Sequence, residues 1–314
     1  MADSTKSNLY VLCPGQGAQI VGMGKELCAA SPEAKAVFDQ ANALAGYDLS
    51  SICFNGPDTR LNDTDVSQPA LYVTGVASFR AAVAGGAFDA AAVTAYAGLS
   101  LGEYTALHLA GSFSFEEGLR LVSLRGKLMQ EAAVANPSGM VAIIGGDEAA
   151  VRKLCAETAG DQVLVPANFN CPGQIVVSGG KEACARIVAM ASKTGVGAKA
   201  LTVAGAFHSP YMQSAADGMR EALAAANLQP PRTPVYSNVT AEVHTDVDSI
   251  ARLLVDQITH PVRWEQTMTA LVAGGEARYI ELAPGRTLAG LAKRIHRRLV
   301  VEENAGIKPA QVFG

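Results

Sequence analysis

Short apolar runs alternate along this chain with longer segments in which apolar residues recur at helical spacing. The apolar runs predict strands at 9–13, at the residues ending in Ala97, at 234–239 and at 279–282. The amphipathic segments predict helices at 101–110, 115–133 and 211–225. Alternation of this kind is typical of an α/β fold with a largely parallel sheet.

Between residues 134 and 204 the order of elements changes. Strand-like segments at 140–144, 163–167, 175–178 and 198–203 enclose helix-like segments at 147–158 and 181–194, the first with Asp147 as its N-cap. This β-α-β-β-α-β order is the ferredoxin-like pattern. We therefore predict a small subdomain at 134–204 inserted into a larger domain formed by 1–133 and 205–314, with a binding cleft between them. The segment 302–306 is expected to be loosely ordered.

The segment Gly98-Leu99-Ser100-Leu101-Gly102 lies between an apolar run and a helix-like run. A G-x-S-x-G turn from strand into helix holds its serine on a tight bend, for which the glycines leave room. The hydroxyl then faces a cleft, and the first N–H groups of the helix face any negative charge that forms beside it. Two interpretations stand at this point: a nucleophilic serine, and a serine that only serves a tight turn.

A serine nucleophile needs a base, and of the five histidines His208 is best placed, in a loop between a strand and a helix. His108 and His296 lie in helical runs, whereas His244 and His260 are expected in loops. The alternative for His208 is an ordinary solvated loop residue.

Arg125 lies on the apolar face of its predicted helix, together with Leu121, Val122, Leu128 and Met129. A guanidinium is costly to bury unless it is paired. It could form an ion pair with an internal carboxylate or extend its charged end to the surface. The functional alternative is bidentate capture of a substrate carboxylate, which suits the planar fork of arginine.

Composition removes several classes of function. The 314 residues carry a formal net charge of −4, which argues against a general nucleic-acid binder. No uncharged apolar stretch approaches the about 20 residues that span a bilayer, and residues 1–8 lack the apolar core of a secretory signal. Six cysteines without a C-x-x-C pair predict reduced thiols and a cytoplasmic protein.

Metal and nucleotide sites are also not indicated. The histidines are not spaced with the cysteines as zinc ligand sets. Gly15-Gln16-Gly17 matches neither a dinucleotide-binding nor a Walker pattern, but free N–H groups in that loop would serve as half of an oxyanion hole.

Several motifs occur together in this chain: PGQGAQ at 14–19, GLSLGEY at 98–104, RGKLMQ at 125–130, NFNCPGQ at 168–174, GAFHSPYM at 205–212 and QITHPVRW at 257–264. In combination they resemble the malonyl-CoA:acyl carrier protein transacylase family of fatty acid synthesis, also seen as acyltransferase domains of polyketide synthases. The resemblance implies an α/β-hydrolase-like parallel-sheet core with an inserted ferredoxin-like subdomain. One departure is Leu99, where many members have histidine.

Carried over position by position, the resemblance implies a role for each site residue. Ser100 would be the nucleophile and His208 the base, and the N–H groups of Gln16 and Leu101 would form the oxyanion hole. Arg125 would hold the malonyl carboxylate, and Gln257 would orient His208 through its backbone carbonyl. Met129 and Asn168 would line the pocket. The segment 206–208 resembles the form associated with malonyl rather than methylmalonyl selection.

The implied reaction moves a malonyl group from malonyl-CoA to acyl carrier protein through a malonyl-serine, without cofactor or metal. The implied protein is a cytoplasmic monomer that binds neither nucleic acid nor membrane. Near the C-terminus, the basic cluster of Lys293, Arg294, Arg297 and Arg298 would either steer the acidic carrier protein or form a solvated helix face. Two other functions remain open: a serine esterase or thioesterase, which expects an acidic triad member, and a non-catalytic binder.

Overall fold

The computed structural model describes residues 7–303, and within that range the chain forms both strands and helices. The first part contains β1 (Asn8–Cys13), α1 (Lys25–Ala30), α2 (Pro32–Ala45), α3 (Leu49–Asn55), α4 (Asp58–Leu61), α5 (Thr64–Ala84), β2 (Ala95–Gly98), α6 (Leu101–Leu109) and α7 (Phe115–Ala135). The middle part contains β3 (Ser138–Ile144), α8 (Glu148–Thr158), β4 (Leu164–Cys171), β5 (Gln174–Gly180), α9 (Lys181–Thr194) and β6 (Gly197–Ala200). The last part contains α10 (Gln213–Ala224), β7 (Val235–Tyr236), α11 (Val247–Thr259), α12 (Trp264–Ala273), β8 (Ala277–Glu281), α13 (Thr287–Ile295) and β9 (Val301–Glu303).

The larger sheet has the strand order β7-β2-β1-β8-β9, and all of its pairings are parallel. Successive residues of β1 point to opposite faces, as the pleat requires. Val11 packs into the core formed with α2, α5, α6 and α7, whereas Leu12 packs into a second core with α12 and α13. Helices therefore cover both faces of a buried parallel sheet, which confirms the predicted α/β class.

The smaller sheet has the order β4-β5-β3-β6 and is antiparallel throughout. Val141 and Ile143 of β3 face α8 and α9, whereas Met140 and Ala142 pack against the larger core. Asp147 caps α8 as predicted, because its side chain accepts from the backbone N–H of Ala150. The division at 134–204 stays a prediction, and α7 continues through Ala135, two residues beyond the expected boundary.

Several boundaries differ from the sequence-based ones. Strand β7 is shorter than 234–239 because the chain turns at residue 237, where the N–H of Ser237 bonds the carbonyl of Glu242. Strand β6 ends at Ala200, and 201–204 line a cavity instead. The helix predicted at 211–225 begins at Gln213, after a 3₁₀ turn.

The prediction of a loose segment at 302–306 was wrong for its first residues. Glu302 and Glu303 belong to β9, and Glu302 forms two hydrogen bonds of 2.7 Å with Arg278 of β8. Residues 304–306 lie outside the described range.

Helix α5 was not predicted, and its environment explains why. Seventeen of its 21 residues are buried, so it has no polar face and no amphipathic period to detect. It packs against α2, α6 and α7 at the centre of the larger domain.

Candidate active site

The turn between β2 and α6 carries Ser100 in a backbone conformation that non-glycine residues rarely adopt, with φ 53° and ψ −107°. The two motif glycines make this turn possible. A Cβ on Gly98 would lie 1.9 Å from the carbonyl carbon of Gly102, and one on Gly102 would lie 2.0 Å from the carbonyl oxygen of Cys13. Any side chain at either position would collide with backbone, so the sequence allows the bend only with glycine at both.

His208 lies opposite Ser100, with its Nε2 at 2.8 Å from the serine Oγ. Its Nδ1 lies 2.6 Å from the backbone carbonyl oxygen of Gln257. Because a carbonyl only accepts, we assign the ring proton to Nδ1, which leaves Nε2 free to accept the serine proton. Burial lowers the pKa of His208 to about 4, with a further contribution from the Arg125 charge, while the Gln257 carbonyl acts in the opposite direction. The imidazole is therefore neutral at pH 7.

Arg125 is 1% exposed and its guanidinium reaches the same serine. Nη2 donates to Ser100 Oγ over 3.1 Å and to Gln257 Oε1 over 2.8 Å, while Nη1 donates to Gln68 Oε1 over 2.7 Å. Within residues 7–303 no carboxylate forms a salt bridge with Arg125, and its Nε has no hydrogen-bond partner. Neither structural alternative from the sequence applies in this part of the chain, because the Arg125 charge is buried and no acidic side chain among residues 7–303 pairs with it directly. Burial lowers the pKa of this guanidinium.

A cavity of about 570 Å³ opens beside Ser100, between the two sheets. Its lining includes Gln16, Leu99, Ser100, Met129 and His208, together with Asn168 of β4 in the smaller sheet. The predicted cleft is thus where the serine and histidine meet. Arg125, Leu101 and Gln257 are not among its lining residues and stand behind the wall, each at most 1% exposed.

The backbone around Ser100 leaves two donors free. Across residues 7–303, the N–H groups of Gln16 and Leu101 bond no protein oxygen, whereas the N–H of Ser100 itself donates to Asn238 Oδ1 over 2.5 Å. An anion beside Ser100 Oγ would therefore find donors from the first turn of α6 and the loop after β1, but not from the serine's own amide.

Four polar residues of the site escaped sequence reasoning: Gln68, Glu103, Asn238 and His244. His244 lies in a loop as expected, but its side chain is fully buried against Glu103, with Nε2 at 2.8 Å from Oε1. The only local signal was the glutamate inside GLSLGEY, on a helix segment otherwise apolar.

Residues 7–303 contain neither a membrane-spanning helix nor a metal-binding cluster. No helix there has the length and apolarity that a membrane crossing requires. In the same range, no cluster of three or more His, Cys, Asp or Glu side chains is arranged to hold a metal ion.

The sequence from residue 10 to 314 matches the model of the acyl transferase domain family. The chain belongs to this family. It is 42% identical over 284 residues to the malonyl CoA-acyl carrier protein transacylase of Salmonella typhimurium, covering 90% of this chain and 91% of that one. The resemblance recognised in the sequence is thereby confirmed.

Solved structures agree. The malonyl-CoA:acyl carrier protein transacylase of Xanthomonas oryzae superposes with a TM-score of 0.92 at 42% identity, covering 98% of this chain and 96% of that chain. A malonyl-transacylase solved in complex with a type II polyketide synthase acyl-carrier protein superposes with a TM-score of 0.91 at 37% identity, covering 98% of both chains. This acyl transferase therefore shares both its sheets with those enzymes.

Proposed function

We propose that this acyl transferase moves a malonyl group from malonyl-CoA to the phosphopantetheine thiol of acyl carrier protein, supplying fatty acid synthesis. The observation that carries the proposal is the convergence of two groups on one oxygen: His208 Nε2 at 2.8 Å and Arg125 Nη2 at 3.1 Å from Ser100 Oγ. The first is a base and the second a fixed cation, as a nucleophile and an acidic acyl group each require.

In the first half-reaction, Oγ of Ser100 attacks the thioester carbonyl of malonyl-CoA while Nε2 of His208 takes the hydroxyl proton. The thioester oxygen becomes an oxyanion, which the N–H groups of Gln16 and Leu101 stabilise. When the C–S bond breaks, His208 returns its proton to the CoA sulfur. The products are free CoA and a malonyl ester on Ser100.

The second half-reaction reverses these steps with another thiol. The phosphopantetheine sulfur of the carrier protein attacks the ester as His208 takes its proton, and the serine oxygen leaves with that proton. One thioester is exchanged for another through an ester. The Gln257 carbonyl holds the imidazole by Nδ1 through both steps, which makes a carboxylate triad member unnecessary.

Arg125 gives the site its preference for an acidic acyl group. Its charge is buried without a directly paired carboxylate among the described residues, and its Nε is free. The malonyl carboxylate would form a direct ion pair with the guanidinium next to Ser100, whereas an acetyl group offers no carboxylate for such a pair. Charge-assisted bonds of this kind are about twice as strong as neutral ones.

The carrier protein docks, in this proposal, near the basic residues of α13 and the segment that follows it. Lys293, Arg294, Arg297 and Arg298 are all exposed. Nη1 of Arg294 donates to Gln174 Oε1, and Gln174 lines the cavity together with Leu291 of α13. A basic surface at the cavity rim would guide an acidic carrier to the serine.

Hydrolysis is the competing activity, and one experiment separates the two. Purified protein is mixed with malonyl-CoA, with and without carrier protein, and both free malonate and malonyl-carrier are measured. We expect one equivalent of CoA to be released rapidly and transfer to be much faster than hydrolysis. Steady malonate release that carrier protein does not suppress would make the protein a thioesterase.

We also propose that the protein acts in the cytoplasm as a monomer. The six cysteines are all free thiols, and five of them are buried, as in a reducing compartment. A single chain supplies every group of the site described above. Light scattering of the purified protein tests the monomer, and two chains per particle would overturn it.

A further inference from the structure

A fully buried carboxylate lies behind the nucleophile, outside the proposed chemistry. Glu103 is on the first turn of α6, three residues after Ser100, and is 0% exposed. Its Oε1 accepts from Nε2 of His244 over 2.8 Å, and its Oε2 accepts from Nε2 of Gln257 over 2.7 Å and from the backbone N–H of Asn238 over 3.1 Å. A buried charge is tolerated only when it is hydrogen-bonded to this extent.

The side-chain nitrogen of Gln257 has two close acceptors, Oε2 of Glu103 over 2.7 Å and the backbone carbonyl oxygen of Ser100 over 3.0 Å. Since an ionised carboxylate only accepts, the Gln257 nitrogen must face Glu103. The amide oxygen then faces the other way, where it accepts from Nη2 of Arg125 over 2.8 Å. A flipped amide would place its N–H₂ against the guanidinium, where two donors would meet without an acceptor.

Glu103 also holds Asn238, whose side chain fixes the backbone turn that carries Ser100. The backbone of Asn238 is held by Glu103, and its side chain bonds both ends of the turn: Oδ1 accepts from the N–H of Ser100 over 2.5 Å, and Nδ2 donates to the carbonyl of Gly98 over 2.6 Å. The Glu103 side chain is thus joined to Ser100 through Asn238 and through Gln257, which donates directly to the Ser100 carbonyl over 3.0 Å and reaches the Ser100 hydroxyl through Arg125.

His244 holds the carboxylate in place from the far side. Its Nε2 carries the proton that Glu103 accepts, and within the described residues its Nδ1 has no partner. The histidine therefore makes one side-chain bond, and that bond is to Glu103.

We propose that Glu103, held by His244, is a positioning residue for malonyl selection: it fixes the Gln257 amide and thereby sets the Arg125 guanidinium beside Ser100. The Glu103 side chain touches neither Oγ of Ser100 nor the cavity. Its negative charge also balances that of Arg125 across one amide, since Arg125 has no direct ion pair with any residue in the range 7–303. This inference rests on the proposed function and assigns a selectivity role to a residue behind the site.

The test compares kcat/KM for malonyl-CoA with kcat/KM for acetyl-CoA in Glu103→Gln. Only the malonyl group has a carboxylate for Arg125, so a displaced guanidinium penalises malonyl transfer more than acetyl transfer. We expect the malonyl-to-acetyl ratio to fall by about 10- to 100-fold, the range for losing a hydrogen bond to a charged group. Glu281→Gln is the matched control, because Glu281 is also 0% exposed and accepts backbone N–H bonds from Leu288 and Ala289. Its ratio should stay at the wild-type value.

A second pair of variants keeps the test independent of Glu103 itself. His244→Ala removes the donor and should lower the same ratio, whereas His244→Gln, whose amide nitrogen takes the place of Nε2, should restore it. If Glu103→Gln and His244→Ala reduce malonyl and acetyl transfer equally, the cluster is only structural and the inference is wrong. If the wild-type protein itself forms no malonyl-enzyme, the proposed function fails instead.

Discussion

Arg125 donates from Nη2 to Oγ of Ser100 over 3.1 Å. The same serine oxygen lies 2.8 Å from Nε2 of His208. A cation and a neutral base therefore meet at one buried hydroxyl. The cation stabilises negative charge on the oxygen, and the base can remove its proton without first losing one of its own.

Replacement of Arg125 by alanine should remove the preference for malonyl groups. The lost charge-assisted contact is worth about 2–3 kcal/mol, which corresponds to an about 30- to 150-fold change in selectivity. Transfer rates from malonyl-CoA and acetyl-CoA measure it. Arg120→Ala is the control, because Arg120 is on the same helix but half exposed, paired with Glu117. Unchanged rates for both substrates in Arg125→Ala would show that the guanidinium does not bind the carboxylate.

The pH dependence of kcat/KM for malonyl-CoA should follow the lowered pKa of His208. With that pKa at about 4, the imidazole accepts a proton throughout pH 5–8, and activity should fall only as the pH approaches 4. An inflection near 6.5, the ordinary histidine value, would contradict the burial of the neutral ring. Because the Arg125 charge is one cause of the lowering, Arg125→Ala should move the inflection to higher pH.

The same lowered pKa has a consequence for stability. The unfolded chain binds the His208 proton below pH 6.5, whereas the folded chain resists it until about pH 4. The contribution of the neutral His208 to the free energy of unfolding is therefore fully present above pH 6.5, and it is lost as the pH falls toward 4. Denaturant titrations give the free energy of unfolding at pH 4.5 and at pH 7.5. The difference between these two values should be smaller in His208→Gln than in the wild-type protein. If the difference is the same in both proteins, His208 is not the source of this pH dependence of stability.

Gly102→Ala should disrupt the turn that carries the serine. The new Cβ would lie 2.0 Å from the carbonyl oxygen of Cys13. The nearest atoms all belong to the backbone of Cys13 and Pro14, so no flexible side chain can move aside. We expect a loss of about 3 kcal/mol or more in unfolding free energy. Gly290→Ala is the matched control, a helical glycine whose added Cβ meets nothing within 4 Å. It should be neutral or stabilising by up to about 1 kcal/mol. Equal stabilities of the two variants would refute the close packing of the turn.

Charge reversal at Lys293 and Arg297 should weaken carrier-protein docking without affecting the chemistry. Both side chains are exposed, so the expected result is a higher apparent KM for carrier protein and an unchanged KM for malonyl-CoA. The effect should shrink at high salt, which screens surface charges. Lys35→Glu, on the exposed face of α2, serves as the control. If all three reversals act alike, the basic residues of α13 form only a solvated face.

The local parts of the site could be predicted from the sequence. Ser100 between its glycines, His208 in a loop after a strand, and Arg125 within an apolar helix face are each visible in a few neighbouring residues. The structure brings these three together, as it does the Gln257 carbonyl that the family resemblance implied. Their catalytic roles remain predictions until the variants are measured.

The buried network behind the site could not be predicted, for a physical reason. Glu103 meets Asn238, His244 and Gln257, which are 135 to 154 positions away along the chain. Only the tertiary fold makes them neighbours, and His244 alone looks like any histidine in a polar turn. Helix α5 was not predicted for a different, local reason. It is buried on nearly every side, so its sequence lacks the alternation of polar and apolar positions that marks an amphipathic helix.

Intact-mass spectrometry after mixing the protein with malonyl-CoA tests the central claim most directly. The wild-type protein should gain the mass of one malonyl group and lose it when carrier protein is added, whereas Ser100→Ala should gain nothing. A malonyl adduct of undiminished yield in Ser100→Ala would contradict the assignment of the nucleophile.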